Sequence, residues 1–376
     1  MTLKELSGEL MAWVEMLKPH NQSKTVGLAR CVLVFVSLLL AILLVIPVVI
    51  VMLPFWFVSF LARMIAGWIQ PKSVPWREII EFAADIGWKP MPNLDTHYLA
   101  RGEDICHVRT DSEGWPGQTA LSESQVVVVG DSFAFGYGVH ARASFAELKP
   151  HLRIKAIGAP GYNMVQEVLL MRQLSPQLRG KLVVWFICLE NDLYDNLNPT
   201  KPNFYKTPFV RCPQGTSEWE IVTSHVTPTR RPYMEGESPY YSMLAKFCTP
   251  GFVSQRAFSA CEYLIKLARD VCQEAGADLA VMTIPNKNQL TRDGLEFLMS
   301  HLVDADGFNP DRPDREIGEI CRKHGIAFLA GKASLKAADY KENDTHWNER
   351  GNQHIAELLE RLQRDCLAGK IAKTVG

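Results

Sequence analysis

The stretch QVVVVGDSFAFGYG, residues 125–138, decides the fold of this chain. Its four consecutive valines form a short apolar run of branched side chains, which is typical of a strand buried on both faces of a parallel sheet. Asp131 and Ser132 follow directly, and helix-compatible residues come next. The pattern predicts a strand that ends at Gly130 and places Ser132 at the carboxyl end of the sheet, where a helix N-terminus can stabilise an anion.

Similar apolar runs recur along the chain and alternate with helical patterns. The strand candidates are QVVVVG (125–130), RIKAIG (153–158), KLVVWFIC (181–188), DLAVMTI (278–284) and IAFLA (326–330). Helix-like stretches such as MVQEVLLMRQL lie between them. This β/α alternation predicts a three-layer αβα fold, a flavodoxin-like doubly wound parallel sheet with strand order 2-1-3-4-5.

Polar or small residues also follow the second, third and fifth predicted strands. Gly161 can bring a backbone N–H close to a reacting oxygen, because glycine has no side chain in the way; the alternative is a simple Pro-Gly turn. The amide of Asn191 can donate to an oxyanion or cap the next helix. Asp344 and His346 have the chemistry of a carboxylate that orients a general base.

The order of these residues along the chain is more specific than any one of them. In a 2-1-3-4-5 sheet the first strand lies between the second and the third, next to the topological switch point. Ser132, Gly161 and Asn191 should therefore meet at one carboxyl edge. Asp95-Thr96-His97 repeats the Asp-x-His spacing, but it precedes every predicted sheet strand and is disfavoured as a catalytic pair.

With these motifs, residues 125–360 resemble the SGNH (GDSL-like) hydrolase superfamily. The resemblance implies a serine esterase in which Ser132 is the nucleophile, His346 the base and Asp344 its partner. The oxyanion hole would consist of the backbone N–H groups of Ser132 and Gly161 and the side chain of Asn191. Neighbouring residues with a suggested role in substrate binding are Asp131, Asn163 and Trp347.

Two motifs depart from the usual pattern of that superfamily. Leu189-Glu190-Asn191-Asp192 stands where Gly-x-Asn-Asp is usual, and Asp-x-His replaces Asp-x-x-His. The shorter form is similar to membrane-associated or polysaccharide O-acetyltransferase branches. Three alternatives therefore stay open: an esterase acting on an O-acylated glycan, lipid or small molecule, an O-acyltransferase with the same triad, and an inactive scaffold subunit of a membrane complex.

A long uncharged segment precedes the α/β region. Cys31 to Ala62 contains 32 residues without a charge, a length of about 48 Å as a continuous helix against a hydrocarbon core of about 30 Å. Thirty residues precede it, which favours an uncleaved anchor over a signal peptide. Pro47 and Pro54 allow either one span followed by an interfacial helix, or a re-entrant hairpin. We favour the single span, which places the catalytic domain outside the cytoplasm; a hairpin would leave it on the cytoplasmic face.

These features divide the chain and limit its partners. The predicted parts are an N-terminal flank (1–30), a membrane anchor (31–69), a connector that packs on the main domain (70–124) and the α/β domain (125–370) with an insertion at 193–255. A net charge of −1 disfavours nucleic-acid binding. No zinc-like cysteine spacing is present, so we expect no metal and no cofactor. The expected partners are the lipid bilayer and an acylated substrate, and a membrane protein partner stays open.

Overall fold

The described part of the chain forms two separate units. The computed structural model describes residues 32–39, 43, 48, 52–61, 71–100, 104–199, 205–228 and 239–367. The units are Met1–Pro71 and Lys72–Gly376. Residues 32–39 and 52–61 are helical, and much of the predicted anchor lies outside the described residues. Within the described residues, no helix has both the length and the apolar character to cross a membrane. The anchor and its topology therefore stay a prediction.

The second unit contains the regular structure that positions the site. Its strands are β1 (Ser73–Pro75), β2 (Ile80–Ala83), β3 (Gly87–Pro90), β4 (Asp95–Leu99), β5 (Ile105–Arg109), β6 (Val126–Gly130), β7 (Ile154–Gly158), β8 (Leu182–Cys188), β9 (Phe209–Arg211), β10 (Glu220–Val222), β11 (Asp278–Ile284) and β12 (Ala327–Ala330). Its α-helices are α1 (Ser132–Phe135), α2 (Phe145–Leu148), α3 (Met164–Leu174), α4 (Asp192–Asp195), α5 (Tyr240–Phe247), α6 (Phe252–Ala275), α7 (Arg292–Met299), α8 (Arg312–Lys323) and α9 (Glu349–Leu367).

The central sheet has five parallel strands in the order β7-β6-β8-β11-β12. In chain order this is 2-1-3-4-5, so the predicted fold class and strand order are confirmed. Every residue of β6, β7 and β8 is buried. That burial explains the continuous apolar runs, because a strand covered on both faces shows no polar alternation.

Two hydrophobic cores cover the two faces of this sheet. Val127 and Val129 face the core that contains residues of α3, α6 and α8, whereas Val126 and Val128 face the core that contains residues of α9. Successive residues of one strand therefore serve opposite layers. This arrangement is the predicted three-layer αβα architecture.

The connector, residues 71–124, contains strands that the sequence did not indicate. It forms the sheets β1-β4-β5 and β2-β3. The fully buried Lys155 of β7 lies 2.8 Å from a carboxylate oxygen of Asp111 in the connector. The indole N–H of Trp88 in β3 donates to the Pro160 carbonyl over 3.2 Å. Both contacts attach the connector to the edge of the central sheet on the β7 side.

Candidate active site

Ser132 lies where β6 meets a single helical turn, α1. The Asp131 carboxylate caps this turn by accepting the Phe133 N–H over 2.9 Å. A Cβ atom on Gly158 of the neighbouring strand would lie 2.4 Å from the Gly130 carbonyl oxygen and 2.9 Å from that of Asp131. Only glycine therefore lets β7 approach the strand end that carries Ser132. Because α1 has four residues, its helix dipole is small, and any anion stabilisation here depends on individual N–H groups.

His346 lies directly against Ser132. Its Nε2 atom is 2.7 Å from the Ser132 Oγ atom, and its Nδ1 atom is 2.9 Å from an oxygen of Asp344. When Nδ1–H donates to Asp344, Nε2 is left as the acceptor for the serine hydroxyl. The geometry is that of a nucleophile, a general base and a carboxylate that orients the base.

The site is mostly withdrawn from water. Ser132 is 7% exposed, and the side chains of His346 and Asp344 are 16% and 4% exposed. Burial lowers the pKa of His346, but the hydrogen bond and charge of Asp344, with the charges of Asp131 and Glu190, outweigh it. The pKa of His346 therefore lies above its usual value.

Two aromatic rings, which the sequence analysis did not single out, hold the imidazole in place. The ring centroids of Phe133 and Tyr137 lie 5.1 and 4.8 Å from that of His346. Both residues belong to the stretch that carries Ser132, so one segment supplies the nucleophile and the packing surface for its base. The aromatic residues of GDSFAFGYG are visible in the sequence. Their role in packing against the imidazole follows only from the position of His346 in the structure.

The segment that carries His346 is fixed by backbone hydrogen bonds. The Lys341 N–H donates to the His346 carbonyl over 2.9 Å. The Lys287 ammonium, which follows β11, donates to the Lys341 carbonyl over 2.6 Å. The Asn348 N–H donates to the Asp339 carbonyl at the start of α9. These contacts fix the position of the imidazole relative to the strand ends.

Gly161 occupies a tight turn after β7. The Tyr162 N–H donates to the Ala159 carbonyl over 3.2 Å, and Gly161 has a φ of 79°. These values describe a type II turn with Pro160 and Gly161 at its centre, and the positive φ favours glycine. The Pro-Gly turn is therefore present, and it places the Gly161 backbone at the predicted carboxyl edge.

Asn191 is joined to this turn. Its Nδ2 atom lies 3.2 Å from the Tyr162 carbonyl oxygen, 3.2 Å from Asp192 Oδ1 and 3.5 Å from Asp195 Oδ2. The residue precedes α4, but its side chain makes no capping hydrogen bond there. The structure thus places the Asn191 amide beside the Gly161 turn.

Asn163 and Trp347, suggested as substrate-binding residues, occupy buried structural positions instead. Asn163 is fully buried, and it caps α3 and donates to the carbonyls of Asp195 and Pro208. Trp347 is 2% exposed and packs against Phe133. No surface of Asn163 and little of Trp347 is exposed, so the contacts that the structure shows for them are with the protein, and their role in substrate binding stays a prediction.

Asp131, the third suggested residue, is also buried, with an exposed fraction of 2%. Its carboxylate caps α1, and its charge contributes to the raised pKa of His346. The contacts that the structure shows for Asp131 are with the protein, and its role in substrate binding stays a prediction.

Two tyrosines of the insertion contact other parts of the protein. Tyr205 is 7% exposed and contacts Phe82, and the Tyr240 hydroxyl donates to Asp195. Among the residues that the structure describes, no cluster of three or more histidine, cysteine or acidic side chains is arranged to hold a metal ion.

Comparisons with known proteins give only distant similarities. No family model matches the chain, and no curated protein sequence matches it. Similar solved structures include a GDSL-like lipase from Bacteroides thetaiotaomicron, with 11% identity, coverage of 66% of this chain and 92% of that one, and a TM-score of 0.35. A carbohydrate acetylesterase family member from Sinorhizobium meliloti has 13% identity, coverage of 65% and 99%, and a TM-score of 0.37. A psychrotrophic esterase from Pseudoalteromonas has 11% identity, coverage of 65% and 98%, and a TM-score of 0.33. Similarities at this level do not establish a family.

Proposed function

We propose that this chain is a serine esterase of the SGNH (GDSL-like) type, acting on an O-acylated glycan or lipid through an acyl-serine intermediate. The observation that supports it is the hydrogen-bonded series Ser132–His346–Asp344, with distances of 2.7 and 2.9 Å. An inactive scaffold would have no need for the Ser132 hydroxyl to lie within hydrogen-bond distance of His346. The short distance therefore favours an enzyme over that alternative.

In the proposed reaction, Ser132 Oγ forms a bond to the ester carbonyl carbon while its proton moves to His346 Nε2. The resulting oxyanion accepts hydrogen bonds from the N–H groups of Ser132 and Gly161 and from the Asn191 amide. The bond to the leaving alcohol then breaks, and His346 returns its proton to that alcohol. An acyl-serine and a neutral imidazole remain.

The second half of the reaction releases the acyl group. Water attacks the acyl carbon and gives its proton to His346, and the proton then returns to Ser132 Oγ as the acid leaves. An acceptor hydroxyl in place of water would make the same site an O-acyltransferase. The short Asp-x-His spacing favours this second candidate through the resemblance to acetyltransferase branches.

Labelling with a fluorophosphonate tests the nucleophile directly. We expect the wild-type protein to form a covalent adduct and Ser132→Ala to form none, whereas Ser300→Ala, at the exposed end of α7, should label normally. Equal labelling of the two variants would contradict the role of Ser132. The ratio of acylated sugar to free acetate, measured with p-nitrophenyl acetate and an added sugar acceptor, separates transfer from hydrolysis.

We also propose that residues 31–69 anchor the catalytic domain to a membrane, with that domain outside the cytoplasm. The support is the uncharged run from Cys31 to Ala62. A reporter fused after residue 376 that is active only when exported should be active in cells. Activity of a reporter that works only in the cytoplasm would instead indicate the re-entrant hairpin.

A further inference from the structure

The connector presents an unusual face of charged and imidazole side chains. In the antiparallel pair β4–β5, His97 lies opposite His107 and Asp95 lies opposite Arg109. Because side chains alternate along a strand, these four share one face. The other face carries Tyr98, Cys106 and Val108, all buried. The alternation of side chains along β4 thus explains why Asp95 and His97 share a face, and no catalytic role is needed to explain their spacing.

A third histidine joins this face from the segment that follows the nucleophile. The Nδ1 atom of His140 accepts the His107 backbone N–H over 3.1 Å. The His97 ring centroid lies 5.1 Å from that of His107 and 6.4 Å from that of His140. The His97 ring therefore lies near the rings of both other histidines, and His140 also contacts the backbone of His107.

These histidines line an open groove of about 670 Å³. We call it the histidine groove; its lining residues are His97, His107, Arg109, Gly117, Gln118, His140, Ala141, Arg142, Glu147 and Pro150. Ser132 and His346 do not line it. The volume is sufficient for a sugar-sized molecule or a phosphate with its water, so the groove can hold a ligand separate from the Ser132 site.

The donors in the groove are only partly used by the protein. Arg109 and His107 both bind Asp95, with distances of 3.0 and 2.7 Å. Glu147 accepts the Gln118 N–H over 2.7 Å. Arg142 is exposed, and no acidic group lies within 4.0 Å of it in the described part of the chain. Its guanidinium is therefore available to a ligand.

The charge of the groove depends on pH. Glu147 and Glu349 near His140, with Asp95 bound to Arg109, offset the charges of Arg109 and Arg142 when His140 is neutral. Burial lowers the pKa of His140, and the charges of Arg142, His97 and His107 lower it further, against the opposing effect of Glu349. Protonation of His140 adds one positive charge to the groove.

We propose that the histidine groove binds an oxyanion group, a phosphate or a carboxylate, at mildly acidic pH. Arg142 supplies charged N–H donors, which are the strong partners of such groups, and protonated His140 adds a second positive charge beside it. A metal ion fits less well, because His107 Nε2 already contacts Asp95 and His140 Nδ1 already accepts a backbone N–H. This site is independent of the proposed esterase activity.

Binding of inorganic phosphate to the full-length protein in detergent, measured by calorimetry, tests the proposal. We expect binding at pH 5.5 that weakens by about tenfold at pH 8, because the positive charge of His140 is lost. Arg142→Gln should weaken binding at pH 5.5 by a similar factor. The matched control is Arg172→Gln, an exposed arginine of α3, which should bind as the wild type does. No binding at pH 5.5, or equal binding in both variants, would overturn the proposal.

Further measurements identify the class of ligand and separate the test of this proposal from the test of the esterase proposal. Glucuronate that binds where glucose does not would indicate a carboxylated ligand, and phosphate binding alone would indicate a phosphorylated one. In NMR titrations the pKa of His140 should rise when phosphate is present. The His140 signal is assigned by its loss in His140→Gln, and an unchanged pKa would overturn the place of His140 in the site. Ser132→Ala should bind phosphate normally, so that failure of the esterase proposal leaves this result unaffected.

Discussion

The Nε2 atom of His346 lies 2.7 Å from the Oγ atom of Ser132, although 214 positions separate the two residues in the chain. The opposite nitrogen of the ring contacts Asp344, and the rings of Phe133 and Tyr137 pack against the imidazole. The His346 imidazole is thus held by contacts on three sides, with its acceptor nitrogen toward the Ser132 hydroxyl. The predictions for the reaction depend on this relationship.

The pH dependence of acylation should reflect the raised pKa of His346. Only the neutral imidazole can accept the Ser132 proton, so the rate should fall as the pH decreases through this pKa. Because Asp344 raises the pKa, the midpoint of the acid limb of kcat/KM for p-nitrophenyl acetate should lie above the usual value of about 6.5. A midpoint below 6 would show that burial outweighs the carboxylate.

Replacement of Asp344 by asparagine should impair the base without collapsing the site. The amide oxygen can still accept the Thr345 N–H that Asp344 accepts over 2.7 Å, but it cannot stabilise the imidazolium charge. We expect kcat to fall by about 10³–10⁴-fold and the acid limb to move to lower pH. Steady-state kinetics across pH measures both effects, and a loss below tenfold would contradict the orienting role.

Asn191→Ala should remove one donor from the oxyanion. We expect kcat to fall by about 10²–10³-fold with little change in KM, because the contact forms as charge develops in the transition state. Thermal unfolding serves as the control, since the amide also contacts the Tyr162 carbonyl. A change in KM alone would place Asn191 in ground-state binding instead.

The ion pair between Asp111 and Lys155 should stabilise the attachment of the connector to the central sheet. Asp111→Ala leaves a fully buried ammonium whose remaining partners, among the residues that the structure describes, are the carbonyls of Trp115 and Pro116. Urea denaturation should show a loss of about 3 kcal/mol or more in the free energy of unfolding.

Adding Lys155→Met to Asp111→Ala provides the matched control for this ion pair. The double variant should recover most of the lost stability, because it removes the unpaired buried charge. No recovery would mean that lost packing, rather than the uncompensated ammonium, causes the destabilisation.

The strand order and the candidate triad could be predicted, but parts of their surroundings could not. A continuous valine run has one structural interpretation in an alternating β/α chain, so β6 and the place of Ser132 followed from it. Asn163 and Trp347 lie beside the same motifs but are buried in packing. Sequence proximity to a motif does not reveal whether a side chain points toward solvent or into the core.

The connector is a second region in which the sequence alone does not reveal the partner of a side chain. Asp95 and His97 look like a possible pair in the sequence, yet Asp95 contacts His107 and Arg109 from the opposite strand. The partner of a side chain in a β-hairpin depends on the strand register. Short strands within a polar, proline-containing segment give too weak a periodicity to determine that register.

The sequence by itself determined the five-stranded parallel sheet and the residues that follow its strands. Burial on two faces requires a continuous apolar run, and turns require particular residues, so short stretches of chain are enough to predict both. The tertiary structure alone decided which of those residues touch. Contacts such as Ser132–His346 and His107–His140 join distant segments, and their distances depend on how the strands and helices pack rather than on any local preference.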